Sequence, residues 1–320
     1  LFGCGLVSAR QAREGGDMTL LKLVLVACCF VGLISRVEAS EPSSSLLESR
    51  VRELSDNIEG RVSLYARNLD SGREIGINAD ETVRTASTIK LPIACAVAKF
   101  VADGKYAWSD RLTIGRADKV SGSGVLADFS DDETISLRDA TTLMIIVSDN
   151  TATNLILDRV GGDAVNDYLA SLGLERTRVM RKIRGDGNQL KPAQGWTREG
   201  LRPENQRFGI GVSTPREMVR LLEMLERGQI VNADSSSLVL QMLERQQYKD
   251  GIGRKIEQFR VASKSGSLDA LRSDVGIVHT PHGRIAIAVT VDGLPQIDYS
   301  PDNAAQKWIA EVSLAIIEGL

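Results

Sequence analysis

The sequence predicts an α+β fold, and three observations carry that expectation. Runs alternating with a period of two, the mark of half-buried strands, stand near both ends of the chain. Between them, apolar residues recur at helical spacing, and no internal repeat divides the chain. Strands at both ends with helices between imply one antiparallel sheet closed from the two termini, and a helical middle forming a second lobe.

In order, Ser43–Asn57 reads as a polar-capped helix. Arg61–Asn68 and Arg73–Ile77 read as a hairpin about Asp70-Ser-Gly72. From Thr88 to about Gly104 the text is helical and dense in Ala, Val and Ile, with Pro92 in the tolerant first turn. Leu137–Val147, Thr151–Val160 and Asp163–Leu172 are three further helices. Arg176–Val212 is charged, Gly-rich and aperiodic, the mark of a long functional loop. Thr214-Pro215 opens a helix with a Thr cap and Pro at its first position. Ser235–Glu244 is another. Phe259–Lys264, Val275–His279 and Arg284–Val291 are strands, and Pro301–Leu320 is a closing amphipathic helix.

The first 39 residues read as something other than fold. The chain begins with Leu1, and its first methionine is Met18. From there a short cationic start ends at Lys22, an apolar run spans Leu23–Ile34, and Val37 and Ala39 supply small residues before a break. That is a secretory signal over 18–39 with cleavage after Ala39, leaving 1–17 as an upstream extension and 40–320 as the exported chain, periplasmic or secreted. The run is shorter than the about 20 residues of a spanning helix. A lipoprotein box ending at Cys28 is the lesser alternative.

Composition excludes several function classes. A net charge of −3 and 4% aromatics argue against nucleic acid as a partner. Three of the four cysteines fall in the leader, so Cys95 stands without a disulfide partner and reads as a buried, inert thiol. His279 and His282 lie in hairpin-turn text between two strands. No HExxH, paired CxxC, Walker loop or strand-linked GxGxxG occurs, so no metal and no cofactor is expected.

Three polar triplets stand at element boundaries. In Ser87-Thr-Ile-Lys90 the serine amide sits at a helix start, which favours developing negative charge, and the lysine falls on the same helix face. A lysine in a dry junction gives up its proton more readily and serves as base to the hydroxyl. Ser148-Asp-Asn150 ends one helix and begins another, so Ser148 can relay a proton, Asn150 can orient Lys90, and Asp149 braces the junction. Lys264-Ser-Gly266 ends a strand, where Gly266 allows close approach. Each alone reads equally as a helix cap or a strand-end lysine.

In this order the triplets match the signature of class A β-lactamases and penicillin-binding proteins. Ser87-Thr-Ile-Lys-Leu-Pro92, Gly122-Ser-Gly-Val-Leu126, the run from Met144 to Asn154 and Ser273-Asp-Val-Gly-Ile277 also resemble class A-type serine hydrolases. The resemblance implies a β-lactamase/transpeptidase-like fold. Its five-stranded antiparallel sheet would lie in a lobe drawn from about 43–84 and 250–320, beside a helical lobe over about 85–249. It implies Ser87 as nucleophile, Lys90 as base, Ser148 as proton shuttle and Asn150 as substrate-orienting residue. Lys264, Ser265 and Gly266 then bind substrate, Arg272 adds a second cation for its carboxylate, and the amides of Ser87 and Ser267 form the oxyanion hole. The implied activity is β-lactam hydrolysis by a monomer acting on a β-lactam or an acyl-D-Ala-D-Ala-like molecule. Alternatives are a D-Ala-D-Ala carboxypeptidase or broad esterase with slow deacylation, and a non-hydrolytic penicillin-binding sensor.

The long loop departs from the pattern. The family's Glu-x-x-Leu-Asn segment, whose glutamate activates the deacylating water, has no match among Asp186, Glu199 and Glu204. Glu199, nearest in spacing to Pro215, and Glu204, before Asn205, are the candidates for that role. Arg181 resembles the arginine of the family's loop-closing ion pair, but Gly211 stands where its aspartate is expected. The basic run Arg176, Arg178, Arg181, Lys182 and Arg184 reads as a solvated rim, with a role in holding acidic substrate as the lesser alternative.

Overall fold

The computed structural model describes residues 42–320. The expected signal segment, its cleavage point at Ala39, the upstream residues and Cys28 lie outside the described residues. Helix α1 (Pro42–Asp56) is followed by the hairpin of β1 (Arg61–Asn68) and β2 (Glu74–Ile77). A short strand β3 (Val83–Arg84) leads through a 3-10 turn, Ala86–Ile89, into α2 (Lys90–Ala102). Strands β4 (Arg111–Ile114) and β5 (Glu133–Ser136) pair antiparallel, and helices α3 (Leu137–Ile146), α4 (Asn150–Val160) and α5 (Gly162–Ser171) follow. Strands β6 (Arg178–Val179) and β7 (Gly211–Ser213) bracket the long loop, which holds 3-10 turns at Gly187–Gln189 and Pro203–Phe208. Helices α6 (Pro215–Glu226) and α7 (Ala233–Glu244), strands β8 (Arg260–Leu268), β9 (Leu271–Thr280) and β10 (Gly283–Asp292), and helix α8 (Ala304–Gly319) complete the chain.

The main sheet is five-stranded and antiparallel, in the order β2-β1-β10-β9-β8. Strands from both ends of the chain therefore meet at the β1–β10 pair, where Ala66 faces Ile287. Both faces of this sheet are covered, so β10 is an almost unbroken buried apolar run. The period of two still sorts it by size. Ile285, Ile287, Val289 and Val291 pack on the side of α1 and α8 with Val51, Ile309 and Val312. Ala286 and Ala288 face the helical lobe, whose core includes Ile89, Val97, Met218 and Leu222. Small residues on that face let α6 lie close to the sheet.

Helix starts follow the capping residues. The Thr214 hydroxyl accepts from the Glu217 amide at 3.1 Å, with Pro215 at the first helical position. Asn303 accepts from Ala305 at 2.9 Å to open α8. Two features depart from the sequence reading. The helix expected from Thr88 starts at Lys90, because the chain first makes the 3-10 turn. Strands β3, β4, β5, β6 and β7 were not legible as strands, since two to four residues carry no dependable period.

The isolated residues also find places. Cys95 is buried in α2, and burial pushes its thiol up to about 12, so it is held as the inert thiol. His282 lies in the β9–β10 turn, but His279 does more than flank it: its Nε2 stands 3.0 Å from Glu226 Oε1 on α6. Trp308 ties the last helix to the first, its ring buried and its Nε1 donating to the Leu54 carbonyl at 2.8 Å. Trp308→Ala is expected to lower unfolding free energy by about 3–5 kcal/mol in a urea titration. A loss under about 1 kcal/mol would contradict this packing.

Candidate active site

The nucleophile candidate sits where the sheet edge meets the helical lobe. Ala86 takes φ of 47°, an uncommon left-handed turn for a residue with a side chain, and it aims the following 3-10 turn. The Lys90 amide donates to the Ser87 carbonyl, so Ser87 and Lys90 are held one tight turn apart. Among the described residues the Ser87 hydroxyl makes no hydrogen bond, and it opens onto a cavity of about 830 Å³.

Lys90 is fully buried, and its amine nitrogen has three oxygens within hydrogen-bond reach. Its Nζ lies 2.6 Å from the Ser148 carbonyl, 3.1 Å from Ser148 Oγ and 2.8 Å from Asn150 Oδ1. Burial, with the nearby Lys264 cation, pushes this amine well below its ordinary value, and the Asp149 carboxylate opposes that shift. Lys264 is also fully buried. Its Nζ lies 3.1 Å from the same Ser148 Oγ and 2.7 Å from the Ser265 carbonyl. Burial lowers its amine and raises the Asp274 carboxyl beside it. A hydroxyl that accepts from two amines keeps its own proton to donate, and Ser148 lines the cavity with Ser87.

Asp149 fastens the junction. It is 1% exposed, and its carboxylate accepts from the amides of Val125 at 2.7 Å, Leu126 at 2.9 Å and Ala152 at 2.8 Å. This caps α4 and pins the 122–126 segment across it. Ser148 itself takes φ of 53°, so the turn that presents its hydroxyl is held by these contacts. Asn150 Nδ2 then donates to the Ser121 carbonyl at 2.9 Å, leaving Oδ1 for Lys90.

Gly266 decides how close the β8 edge comes. A Cβ there would fall 2.9 Å from the Ser87 amide nitrogen and 2.9 Å from the Thr85 carbonyl, so only glycine fits. Ser265, Gly266 and Ser267 line the cavity with Ser87. Arg272 lies beneath them, buried, donating to the carbonyls of Leu268 and Leu271 at 2.6 Å each and to that of Asp298, under the Tyr299 ring at 4.8 Å. It is a braced part of the cavity wall.

A family model described as the beta-lactamase enzyme family matches residues 46–320. This chain belongs to the beta-lactamase enzyme family. It is 22% identical to a β-lactamase of Bacillus licheniformis over 98% of this chain and 97% of that protein. It is 26% identical to β-lactamase L2 of Stenotrophomonas maltophilia over 76% and 77%. Among solved structures, the β-lactamase of Sphaerobacter thermophilus superimposes with a TM-score of 0.72 at 32% identity, covering 85% of this chain and 96% of that one. The protein PBP-A superimposes with a TM-score of 0.73 at 25% identity, covering 86% and 95%.

Within that family frame the long loop takes its own course. Neither Glu199 nor Glu204 lines the cavity with Ser87. Glu199 pairs with Arg202 at 3.3 Å and meets Asn205 Nδ2 at 3.5 Å, while Glu204 is exposed. The reason lies in the path of the chain: at Gly200 a Cβ would fall 2.0 Å from the Met180 carbonyl, so the loop runs tight behind the 178–180 segment. Among the loop residues that line the cavity is Ile183, fixed by Asn154, whose Oδ1 accepts its amide at 2.8 Å and whose Nδ2 donates to its carbonyl at 2.9 Å. Asp186 is the loop's cavity-lining carboxylate. The Cβ position at Gly122 lies 3.5 Å from its Oδ2 and 2.6 Å from Asn150 Nδ2, which makes the two side chains neighbours. Sequence reasoning passed over both. An isoleucine signals only core, and Asp186 lacks the expected flanking residues.

Asp149→Ala would strand three backbone donors in a buried junction. It is expected to cost about 3 kcal/mol or more in chemical unfolding. A cost under about 1 kcal/mol would show that the 122–126 segment holds itself in place.

Proposed function

We propose that this protein hydrolyses β-lactams through an acyl-enzyme on Ser87, with breakdown of that intermediate as the slow step. The observation that carries the reading is the Ser148 hydroxyl shared by two buried lysine amines beside Ser87. Lys90, whose burial makes its ammonium give up a proton more readily, takes the Ser87 proton as the hydroxyl attacks the ring carbonyl. The oxyanion forms against the amides of Ser87 and Ser267, a single such donor being worth about 3 kcal/mol. Ser148 passes a proton to the leaving nitrogen as the ring C–N bond opens, and Lys90 restores it. Lys264, Ser265 and Arg272 attract the substrate carboxylate, and Asn150 orients both Lys90 and the substrate amide.

The second step is where the loop matters. Water attacks the ester only when a base takes its proton, and such a group contributes about 10²–10⁴-fold. Ile183 offers no base, and Asp186 sits on the Asn150 side of the cavity. This favours the slow-deacylating reading, in which the same site also serves a D-Ala-D-Ala peptidase. A PBP-A variant, 26% identical to this chain, was solved as an acyl-enzyme complex with penicillin G, which supports a lasting adduct on this fold.

Intact-mass spectrometry with benzylpenicillin is the test. A covalent adduct is expected that decays slowly and is absent in Ser87→Ala. Ile183→Glu, which puts a carboxylate on the cavity wall, is expected to speed that decay about tenfold or more. Unmodified protein at all times would overturn the acyl-enzyme reading, and an adduct already short-lived in the natural chain would overturn the slow second step.

A further inference from the structure

The basic run at the start of the long loop is not the uniform solvated rim its composition suggests. Lys182 turns out to Asp158, and Arg178 folds back on the Leu174 carbonyl at 2.6 Å. Arg181 and Arg184 instead line the cavity that holds Ser87. Arg181 is half-buried and stacks on Trp196 at 5.6 Å, and its Nη1 donates to the Lys182 carbonyl at 2.8 Å. Arg184 spends its Nε on the Lys191 carbonyl at 2.7 Å. Neither has a carboxylate partner among the described residues. Burial and the Arg184 cation together act against the charged form of Arg181.

Two guanidinium groups on one cavity wall, neither paired with a carboxylate among the described residues, are a costly arrangement. Gly211 keeps a further carboxylate from standing beside Arg181. A Cβ there would fall 2.7 Å from Ile89 Cγ1 and 2.8 Å from Thr85 Oγ1, so no aspartate can stand at that position to pair with Arg181. Arg207, stacked on Phe208 at 4.5 Å, adds a third arginine at the cavity without a carboxylate partner among the described residues. The planar fork of arginine matches a carboxylate in two hydrogen bonds, and a concave wall focuses its field.

We propose that Arg181 and Arg184, with Arg207 beside them, form a second anion subsite that receives an acidic group on the acyl portion of the substrate. This rests on the acyl-enzyme reading and narrows its substrate class. The Lys264 and Arg272 side of the cavity takes the carboxylate on the leaving-group side of the scissile bond, so the favoured acyl donor is a dianion. An acyl portion ending in an acidic side chain fits it, and a neutral aromatic one leaves the arginines unmatched.

The experiment compares acylation of Ser87 by benzylpenicillin and by its α-carboxylated analogue, followed by rapid-quench intact-mass spectrometry. The two probes differ by one carboxylate. At low salt the dianionic penicillin is expected to acylate about fivefold or more faster at equal, subsaturating concentration, and the advantage should shrink in 0.5 M salt by roughly the screening of an exposed pair. In Arg181→Gln and in Arg184→Gln the ratio of the two rates is expected to fall toward one. The salt series on the natural chain decides the matter even if a variant fails to fold. Equal rates from both penicillins, or a preference indifferent to salt and to both substitutions, overturn the subsite and leave the acyl-enzyme reading standing. No adduct from either compound overturns both.

Discussion

Two fully buried amines sharing one hydroxyl are the constraint on which the rest of this structure depends. Lys90 comes from the start of α2, Ser148 from the α3–α4 junction and Lys264 from the edge strand β8. Three remote parts of the chain are thus committed to one point. Both lysines are fully buried, and a like charge across a shared oxygen favours leaving one of them neutral. The structure supplies two buried acids to match, Asp149 for Lys90 and Asp274 for Lys264, and it anchors each on backbone amides: Asp149 on Val125, Leu126 and Ala152, Asp274 on Ile252 at 2.9 Å. The positive-φ turns at Ala86 and Ser148 are local costs of bringing these groups together. Gly266 is the complementary concession on the sheet side, because any side chain there would hold β8 away from Ser87.

Part of this was legible in the sequence because Ser87 and Ser148 stand at element boundaries, where a change of period marked the place even before any family likeness was considered. Lys264 was read at a strand end, whereas β8 runs on through it to Leu268. The sheet was legible because β1, β9 and β10 are long and β-branched. What stayed illegible has a common physical origin. The 3-10 turn at Ala86–Ile89 differs from the helix that follows by backbone angles alone, which composition does not encode. Strands of two to four residues have little period to read, and β2 was legible through the hairpin turn before it. The course of the long loop is set by side-chain contacts to distant backbone, Asn154 with Ile183 and Thr197 with Val179, and by the squeeze of Gly200 against Met180. Residue type and spacing pointed to Glu199 and Glu204, whereas those contacts direct the chain so that Ile183 and Asp186 reach the cavity.

The loop also shows how one backbone position can alter a site it does not touch. Where the family pattern expects an aspartate, Gly211 packs under the nucleophile's own turn, against Ile89 and Thr85. The strand β7 therefore gains a close fit beneath Ser87 and loses a counter-ion for Arg181. The guanidinium is left on the wall of the cavity that holds Ser87. Acylation chemistry and loop architecture are in this sense separable: the first rests on the sheet edge and the α2 start, the second on contacts made by α4 and the 178–180 segment.

The central claim is that the Lys90 amine gives up its proton far more readily than an ordinary lysine because it is fully buried and faces a second cation. Its titration can be followed directly by NMR of protein carrying ¹³C at lysine Cε, with the resonance assigned by its loss in Lys90→Arg. The account expects a midpoint well below the ordinary lysine value of 10.5. A midpoint at or above that ordinary value would mean a permanent ammonium beside Ser87, unable to take its proton, and would contradict the account.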